Sequence, residues 1–405
     1  MNQGFRNYLV VNGGYCGFTI TDGAIRMLVL LYFHQLGYSP FEIAMLFLFY
    51  EFFGIVTNLI GGWLGARIGL NYIMHFGMAM QIVALMMLTV PDGWLSVAYV
   101  MAVQALSGIA KDLNKMSAKA GVKLFLPDES QEKLFRWVAI LTGSKNAMKG
   151  AGFFIGAALL AWLGFRGALV ALAAMLSLVL IWTWWMLPSD MGKTRAKARF
   201  SEVFSKCPKV NWLSAARFFL FGARDIWFVV GLPVYLQAVL GWSYMQVGGF
   251  IAVWIIGYGL IQGNAPRIVR LFSDTRPDGM ALSIWAMVLM LVPLSIIWAM
   301  QQGWNMSLVL ITGLAVFAVV FAMNSAMHSF LIVAWSDRER VSMNVGFYYM
   351  ANAGGRLVGT VLSGLLYQTF GLDGCLYGAV LFALMAALLS LKLHQADQAS
   401  LIINK

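Results

Sequence analysis

Cysteine is almost missing from this sequence: Cys16, Cys207 and Cys375 are the only three in 405 residues, and they lie far apart. That spacing excludes a disulfide framework, and no CxxC or Cys/His pattern marks a metal site, so no metal is expected. The three thiols read as packing residues. Charge is scarce as well, at 11% of residues against 60% hydrophobic, a balance that excludes a soluble domain. Acids are the scarcer sign, 17 against 28 Lys and Arg, for a net charge of +11. The bases are scattered between apolar runs instead of forming one basic domain, which argues against nucleic acid as a partner. No nucleophile, base or metal constellation stands out, so neither an enzyme nor a bound cofactor is expected.

What the sequence has in abundance is long apolar runs. Windows of about 20 residues predict twelve membrane helices, at 8–35, 41–65, 70–90, 94–120, 134–163, 165–187, 209–238, 244–271, 278–301, 305–333, 339–368 and 372–394. The first is too long for a signal-peptide core and lacks a small-residue cleavage site, so it reads as a retained helix. The one extended polar connector, PSDMGKTRAKARFSEVFSKCPK from Pro188, separates two groups of six. The expected division is therefore an N-terminal bundle at 1–187, a central loop at 188–208 and a C-terminal bundle with a short tail at 209–405.

Loop charges set an orientation. Arg6, Arg67, Lys123, Lys133, the central Lys193, Arg195, Lys197, Arg199 and Lys206, then Arg267, Arg270, Arg276, Arg338 and Arg340 all fall on one side, while the other offers essentially Arg166. The positive-inside rule places both termini and the central loop in the cytoplasm.

The halves repeat. LGYSPFEI from Leu36 matches LGWSYMQV from Leu240 at an offset of 204, and Lys149, Gly152, Gly164 and Gly167 match Arg356, Gly359, Gly371 and Gly374 at an offset of 207. Two parallel six-helix repeats resemble the major facilitator superfamily, whose architecture implies an all-α integral membrane fold of two pseudo-symmetric bundles with substrate held between them near the midplane. GGWLGARIG, from Gly61, resembles the superfamily's cytoplasmic loop motif G-x-L-x-D-R-x-G through Gly62, Arg67 and Gly69. Ala66 stands where the motif has aspartate, which puts the motif's charge lock in doubt; a tight turn with one positive-inside arginine is the plainer reading.

The charges inside the spans are lopsided: Arg26, Lys111, Lys115, Lys119, Lys145, Lys149, Arg217, Arg224 and Arg356 against Asp22, Glu51, Asp112 and Asp225. Lys115 and Lys119 approach the cytoplasmic end of the fourth helix and are expected to snorkel to the interface. Arg217, about two turns into the seventh, is ambiguous. Lys145 and Lys149 lie roughly 18 to 24 Å into the fifth helix, near mid-membrane, with Arg356 at equivalent depth in the eleventh. Asp22 precedes Arg26 by a turn and Asp225 adjoins Arg224, so each half sets an acid beside an arginine, either as a neutralised packing pair or as part of a site. Arg forks and Lys ammoniums together suit a multiply charged oxyanion.

The substrate-binding candidates are accordingly Arg26, Lys111, Lys145, Lys149, Arg224 and Arg356, joined by Tyr348 and Asn352. Asn344, Tyr348, Asn352 and Arg356 recur every four residues on one helical face. Asn58 is a weaker pathway candidate. Asp22, Glu51 and Asp225 are candidates for proton coupling or for charge partnership; Glu51, with no base within a turn, fits either a protonatable or a hydrogen-bonded structural carboxyl. His328 reads as a packed neutral histidine.

TDGAIRMLVLLYFHQLGYSPFEIAMLFLFYEFFGIVTNLIGGW, QALSGIAKDLNKMSAK and LFRWVAILTGSKNAMKGAGFF resemble the ArsJ-type organoarsenical efflux transporters, over nearly the whole chain. That resemblance implies export of 1-arseno-3-phosphoglycerate from a bacterial inner membrane by a monomer, giving arsenate resistance. It also implies functional coupling to glyceraldehyde-3-phosphate dehydrogenase, which makes this ester when arsenate replaces phosphate. A general organic-phosphate or carboxylate porter of the same superfamily is the alternative.

Overall fold

The computed structural model describes residues 3–37, 45–125, 131–188, 207–242, 244–272, 277–337 and 340–403. Among them the secondary structure is helical: α1 Gln3–Gln35, α2 Leu48–Ile68, α3 Leu70–Met87, α4 Val97–Phe125, α5 Gln131–Met186, α6 Pro208–Phe228, α7 Gly231–Ala238, α8 Tyr244–Phe272, α9 Gly279–Gln301, α10 Met306–Ala334 and α11 Val341–Ile403, with a 3-10 turn at Asp92–Trp94. In lipid every backbone polar group must be paired within its own segment, and helices achieve this. Among the described residues six stretches, including 279–301 and 306–334, are long and apolar enough to cross a membrane by length and composition alone.

The eleven helices carry the twelve expected spans. α5 and α11 each contain two, bent at Gly164 (φ 67°) and Gly371 (φ 67°), where a positive φ favours glycine. These two glycines are the ones the 207-residue repeat aligns, and Gly37 and Gly241, aligned by the 204-residue repeat, also take positive φ. The internal repeat is thus written in backbone conformation as well as in letters.

Where one helix at 209–238 is expected, α6 and α7 are separate, broken at Val229 and Val230. Pro233 supplies the reason: it has no N–H for the Val229 carbonyl, and its ring crowds that carbonyl. Ser363 Oγ accepts from the N–H groups of Val230 (3.3 Å) and Gly231 (3.1 Å) at the break. The last helix runs past the expected residue 394 to Ile403. Most of the central loop, and the repeat segment from Tyr38 to Ile43, lie outside the described residues.

The chain divides into two compact units: unit 1 is Met1–Ser130, Ser144–Phe204 and Ser336–Met350, and unit 2 is Gln131–Gly143, Ser205–Trp335 and Ala351–Lys405. Unit 1 packs around Ile25, Leu28, Phe33, Leu85, Val103, Leu169 and Leu172. Unit 2 packs around Leu220, Trp227, Trp254, Leu289, Leu310, Phe317 and Leu376, and Trp254 donates its indole N–H to the Leu314 carbonyl at 2.8 Å. That bond spares the Trp254 indole the cost of an unmet donor in an apolar core, about 1–3 kcal/mol.

Candidate functional site

Membrane helices can approach closely where neither carries a side chain, and in unit 1 the α1–α5 crossing is such a place. A Cβ added to Gly23 would sit 2.5 Å from the Lys149 carbonyl oxygen, and one added to Gly152 would sit 2.5 Å from that of Ile20. This approach sets Lys149 Nζ 3.3 Å from Asp22 Oδ2. Tyr50, fully buried on α2, donates its hydroxyl to Asp22 Oδ1. The face of the same ring carries two cations, the Arg26 guanidinium at 4.1 Å and Lys111 Nζ at 3.8 Å from its centroid. Such cation–π contacts are worth about 0.5–2 kcal/mol each, more as water is removed.

Glu51 completes this cluster. Arg26 Nη2 donates to its Oε1 at 2.8 Å, and Lys111 Nζ lies 3.6 Å from its Oε2 and 3.5 Å from Asp112. Lys115 pairs with Asp112 and lies 4.4 Å over the Tyr349 ring. Lys145, half-buried, precedes Lys149 by one turn of α5. The expectation that Lys115 and Lys119 snorkel outward is corrected: Lys119 is 2% exposed and Lys115 is drawn sideways to Asp112. The acid and the ring offer more than the helix end does.

Unit 2 builds its counterpart where α6 crosses α11. A Cβ on Gly359 would meet the Gly222 carbonyl oxygen at 2.9 Å and Asp225 Cβ at 3.0 Å. Asp225, fully buried, is clasped by two arginines: Arg224 donates from Nε (2.6 Å) and Nη2 (2.5 Å) to Oδ1, and Arg356 Nε donates to Oδ2 at 3.2 Å. Phe221 plays the part of the aromatic plate, with the Arg217 guanidinium 3.8 Å and that of Arg224 4.9 Å from its centroid. Arg217 is only 3% exposed and donates to Asn352 Oδ1 at 2.9 Å and to the Ser325 hydroxyl and carbonyl at 3.0 and 3.2 Å. The ambiguity over Arg217 therefore resolves toward the interior.

The sequence-level candidates thus fall into two groups. Unit 1 gathers Arg26, Lys111, Lys149, Asp22 and Glu51, and unit 2 gathers Arg224, Arg356, Asp225 and Asn352. In each, an aspartate on the first helix of the repeat is held by the cation that the repeat aligns, Lys149 or Arg356. The four-residue stripe on α11 splits: Asn352 and Arg356 reach the α6 cluster, while Tyr348, fully buried, packs edge-on against Tyr349 in unit 1 and Asn344 donates to Ser336 at 3.2 Å. Asn58 is buried and donates to its own helix at Gly54, and His328 is buried. In the loop motif, Gly69 caps α2 and opens α3 with φ 119°, which favours glycine; exposed Arg67 lies over Trp63 at 5.3 Å. Among the described residues no group of three His, Cys, Asp or Glu side chains could hold a metal ion.

Sequence reasoning missed Tyr50 and Phe221. Each sits in an aromatic-rich apolar run, and nothing in such a run distinguishes a ring under two cations from one under leucines.

The chain matches the Major Facilitator Superfamily model over residues 12–329 and belongs to that superfamily of membrane transporters. Its fold is similar to that of a bacterial homologue of the iron transporter ferroportin in an outward-facing state (TM-score 0.74, 15% identity, 97% of this chain and 99% of that one). It is also similar to the human organic anion transporter MFSD10 (0.72, 16%, 96% and 99%), and to the proton:xylose symporter XylE bound to 6-bromo-6-deoxy-D-glucose (0.74, 14%, 97% and 96%). No curated protein matches at the sequence level. At such identities the likeness speaks for the fold alone.

Proposed function

We propose that this transporter exports an organic oxyanion by alternating access, and that the substrate is an organoarsenical of the 1-arseno-3-phosphoglycerate type. The observation that carries the charge sign is Asp225, one buried carboxylate clasped by the two guanidiniums of Arg224 and Arg356, with Asp22 held by Lys149 as its counterpart. A carboxylate in that position stands in for an anion. An incoming phosphate or arsenate offers more oxygens to the same ammonium and guanidinium donors, and it takes over the donors that the aspartate releases. Arg26, Lys111, Lys145, Lys149, Arg224, Arg356 and Asn352 are the residues we assign to substrate, with Tyr348 beside them on α11. Asp22, Glu51 and Asp225 hold the cations when substrate is absent and are the candidates for proton coupling.

The arsenical itself rests on the resemblance to ArsJ-type permeases; the clusters argue for an oxyanion and carry no signature of arsenic. The fold's likeness to a human organic anion transporter is compatible with a broader organic-phosphate or carboxylate porter. In our reading the protein works as a monomer in a bacterial inner membrane with cytoplasmic termini. Its substrate is supplied by glyceraldehyde-3-phosphate dehydrogenase acting with arsenate. Everted vesicles given that enzyme, its substrates and arsenate test the assignment. Arsenic accumulation that requires the dehydrogenase and the transporter together supports it. Accumulation of 3-phosphoglycerate at the same rate, unaffected by arsenate, assigns the broader porter instead, and uptake of neither overturns the anion reading.

A further inference from the structure

On the flank of unit 1, away from the charged clusters, Leu64 and Ile68 of α2, Tyr72, His75 and Phe76 of α3 and Leu180 and Trp184 of α5 line an open apolar groove of about 500 Å³. Its walls are outward-facing: Ile68, Tyr72, Phe76 and Trp184 are 37–58% exposed. In a membrane-spanning chain such a groove faces acyl chains. One member does not belong in hydrocarbon. His75 is 5% exposed, tilts its ring against Trp184 at 5.0 Å, and hydrogen-bonds the Thr183 backbone through one nitrogen. The other, Nε2, is buried without a partner.

The donor to a backbone carbonyl must be an N–H, so that bond leaves Nε2 as the bare acceptor of a neutral imidazole. A buried unmet acceptor is costly in protein and more so where no water competes. We infer that this groove is a binding site for one phospholipid with a primary ammonium headgroup, phosphatidylethanolamine in class, whose acyl chain lies along Phe76, Leu180 and Trp184 and whose N–H donates to His75 Nε2. His75 stands five residues into α3, about 8 Å from the α2–α3 turn, a depth a headgroup reaches from that leaflet. Arg67, exposed beside Ile68 at the end of α2, offers its guanidinium to the lipid phosphate.

The test is native mass spectrometry of the purified full chain, delipidated and then incubated with phosphatidylethanolamine or phosphatidylcholine of identical acyl chains. The two differ in N–H donors, which the choline headgroup lacks. The expected result is a five- to ten-fold preference for the ethanolamine lipid, lost in His75→Phe and kept in His75→Gln, which retains an acceptor. Ala79→Trp, which fills the groove and leaves His75 in place, removes retention of both lipids at this site. Equal retention of the two lipids by the parent, or a preference that survives both His75→Phe and Ala79→Trp, overturns the proposal.

Discussion

Asp225→Asn isolates the idea that a carboxylate occupies the place of an anion. Asp225 is fully buried between Arg224 and Arg356, whose side chains are 16% and 22% exposed. At 3.2 Å and an effective dielectric of about 20, the Arg356 pair alone contributes about 5 kcal/mol of gross attraction. Removing one partner of a buried pair costs about 3–5 kcal/mol because the remaining charge is left uncompensated. Asparagine keeps one carbonyl oxygen for Arg224 and both arginines retain some exposure, so about 3 kcal/mol is the expected loss. A ligand at a hundred times its dissociation constant returns about 2.7 kcal/mol. Anion should therefore restore almost all of it.

The assay is thermal unfolding in detergent with and without 3-phosphoglycerate or a stable phosphonate analogue. Asp225→Asn should unfold well below the parent in anion-free buffer and approach it in saturating anion, with a larger ligand-induced shift than the parent shows. Adding Arg356→Gln to Asp225→Asn should recover anion-free stability while removing the response. If Asp225→Asn unfolds with the parent in the absence of anion, or if anion fails to reverse its loss, the aspartate is a packing feature and does not occupy the place of an anion.

Lys149→Ala and Arg356→Ala, the repeat-aligned cations, are each expected to cut vesicle transport by more than ten-fold at normal membrane expression; full arsenate resistance in cells carrying both would remove them from the site. Arg26→Lys and Arg224→Lys keep charge and lose the planar fork, so anion affinity should fall about ten- to a hundred-fold, the worth of one charge-assisted hydrogen bond of about 1.5–3 kcal/mol. Affinity within two-fold of the parent in both would show that charge alone matters there. Tyr50→Phe should lower stability by about 1–2 kcal/mol through loss of the hydroxyl on Asp22 while leaving anion affinity close to normal, whereas Tyr50→Leu, which also strips the ring from Arg26 and Lys111, should weaken affinity several-fold. Equal binding defects in the two variants would deny the ring its role.

Much of the architecture was legible because membrane helices announce themselves by length and hydropathy, and because this chain states its plan twice. Gly164 and Gly371 divide their helices as the repeat implies, and Lys149 and Arg356 occupy aligned positions. What local spacing hides is partnership across the fold. Glu51 looked solitary since no base lies within a turn of it, yet its partners Arg26 and Lys111 come from 25 residues before and 60 after. Lys119 looked destined for the interface by its place near a helix end, a criterion that ignores what neighbouring helices offer sideways. The break before α7 was readable in Pro233, but long apolar runs favour the uninterrupted span.

The two clusters repeat an arrangement without repeating its residues. Each sets an aspartate on the first helix against a cation on the fifth and spreads two further cations over one aromatic ring, Tyr50 in unit 1 and Phe221 in unit 2. Lysine answers arginine and tyrosine answers phenylalanine, so what the two share is positive charge and a flat polarisable surface. The substitutions have a consequence for the order of events. Asp22 is held by one ammonium and one neutral phenol, whereas two guanidiniums clasp Asp225, one of them by two donors. A phenol can turn to any passing acceptor and an ammonium is not bound to one geometry, while a two-donor arginine clasp gives up paired bonds together. If the proposed oxyanion replaces these carboxylates, Asp22 should release its partners more readily than Asp225, and measured anion on-rates should then be more sensitive to Lys149→Ala than to Arg356→Ala.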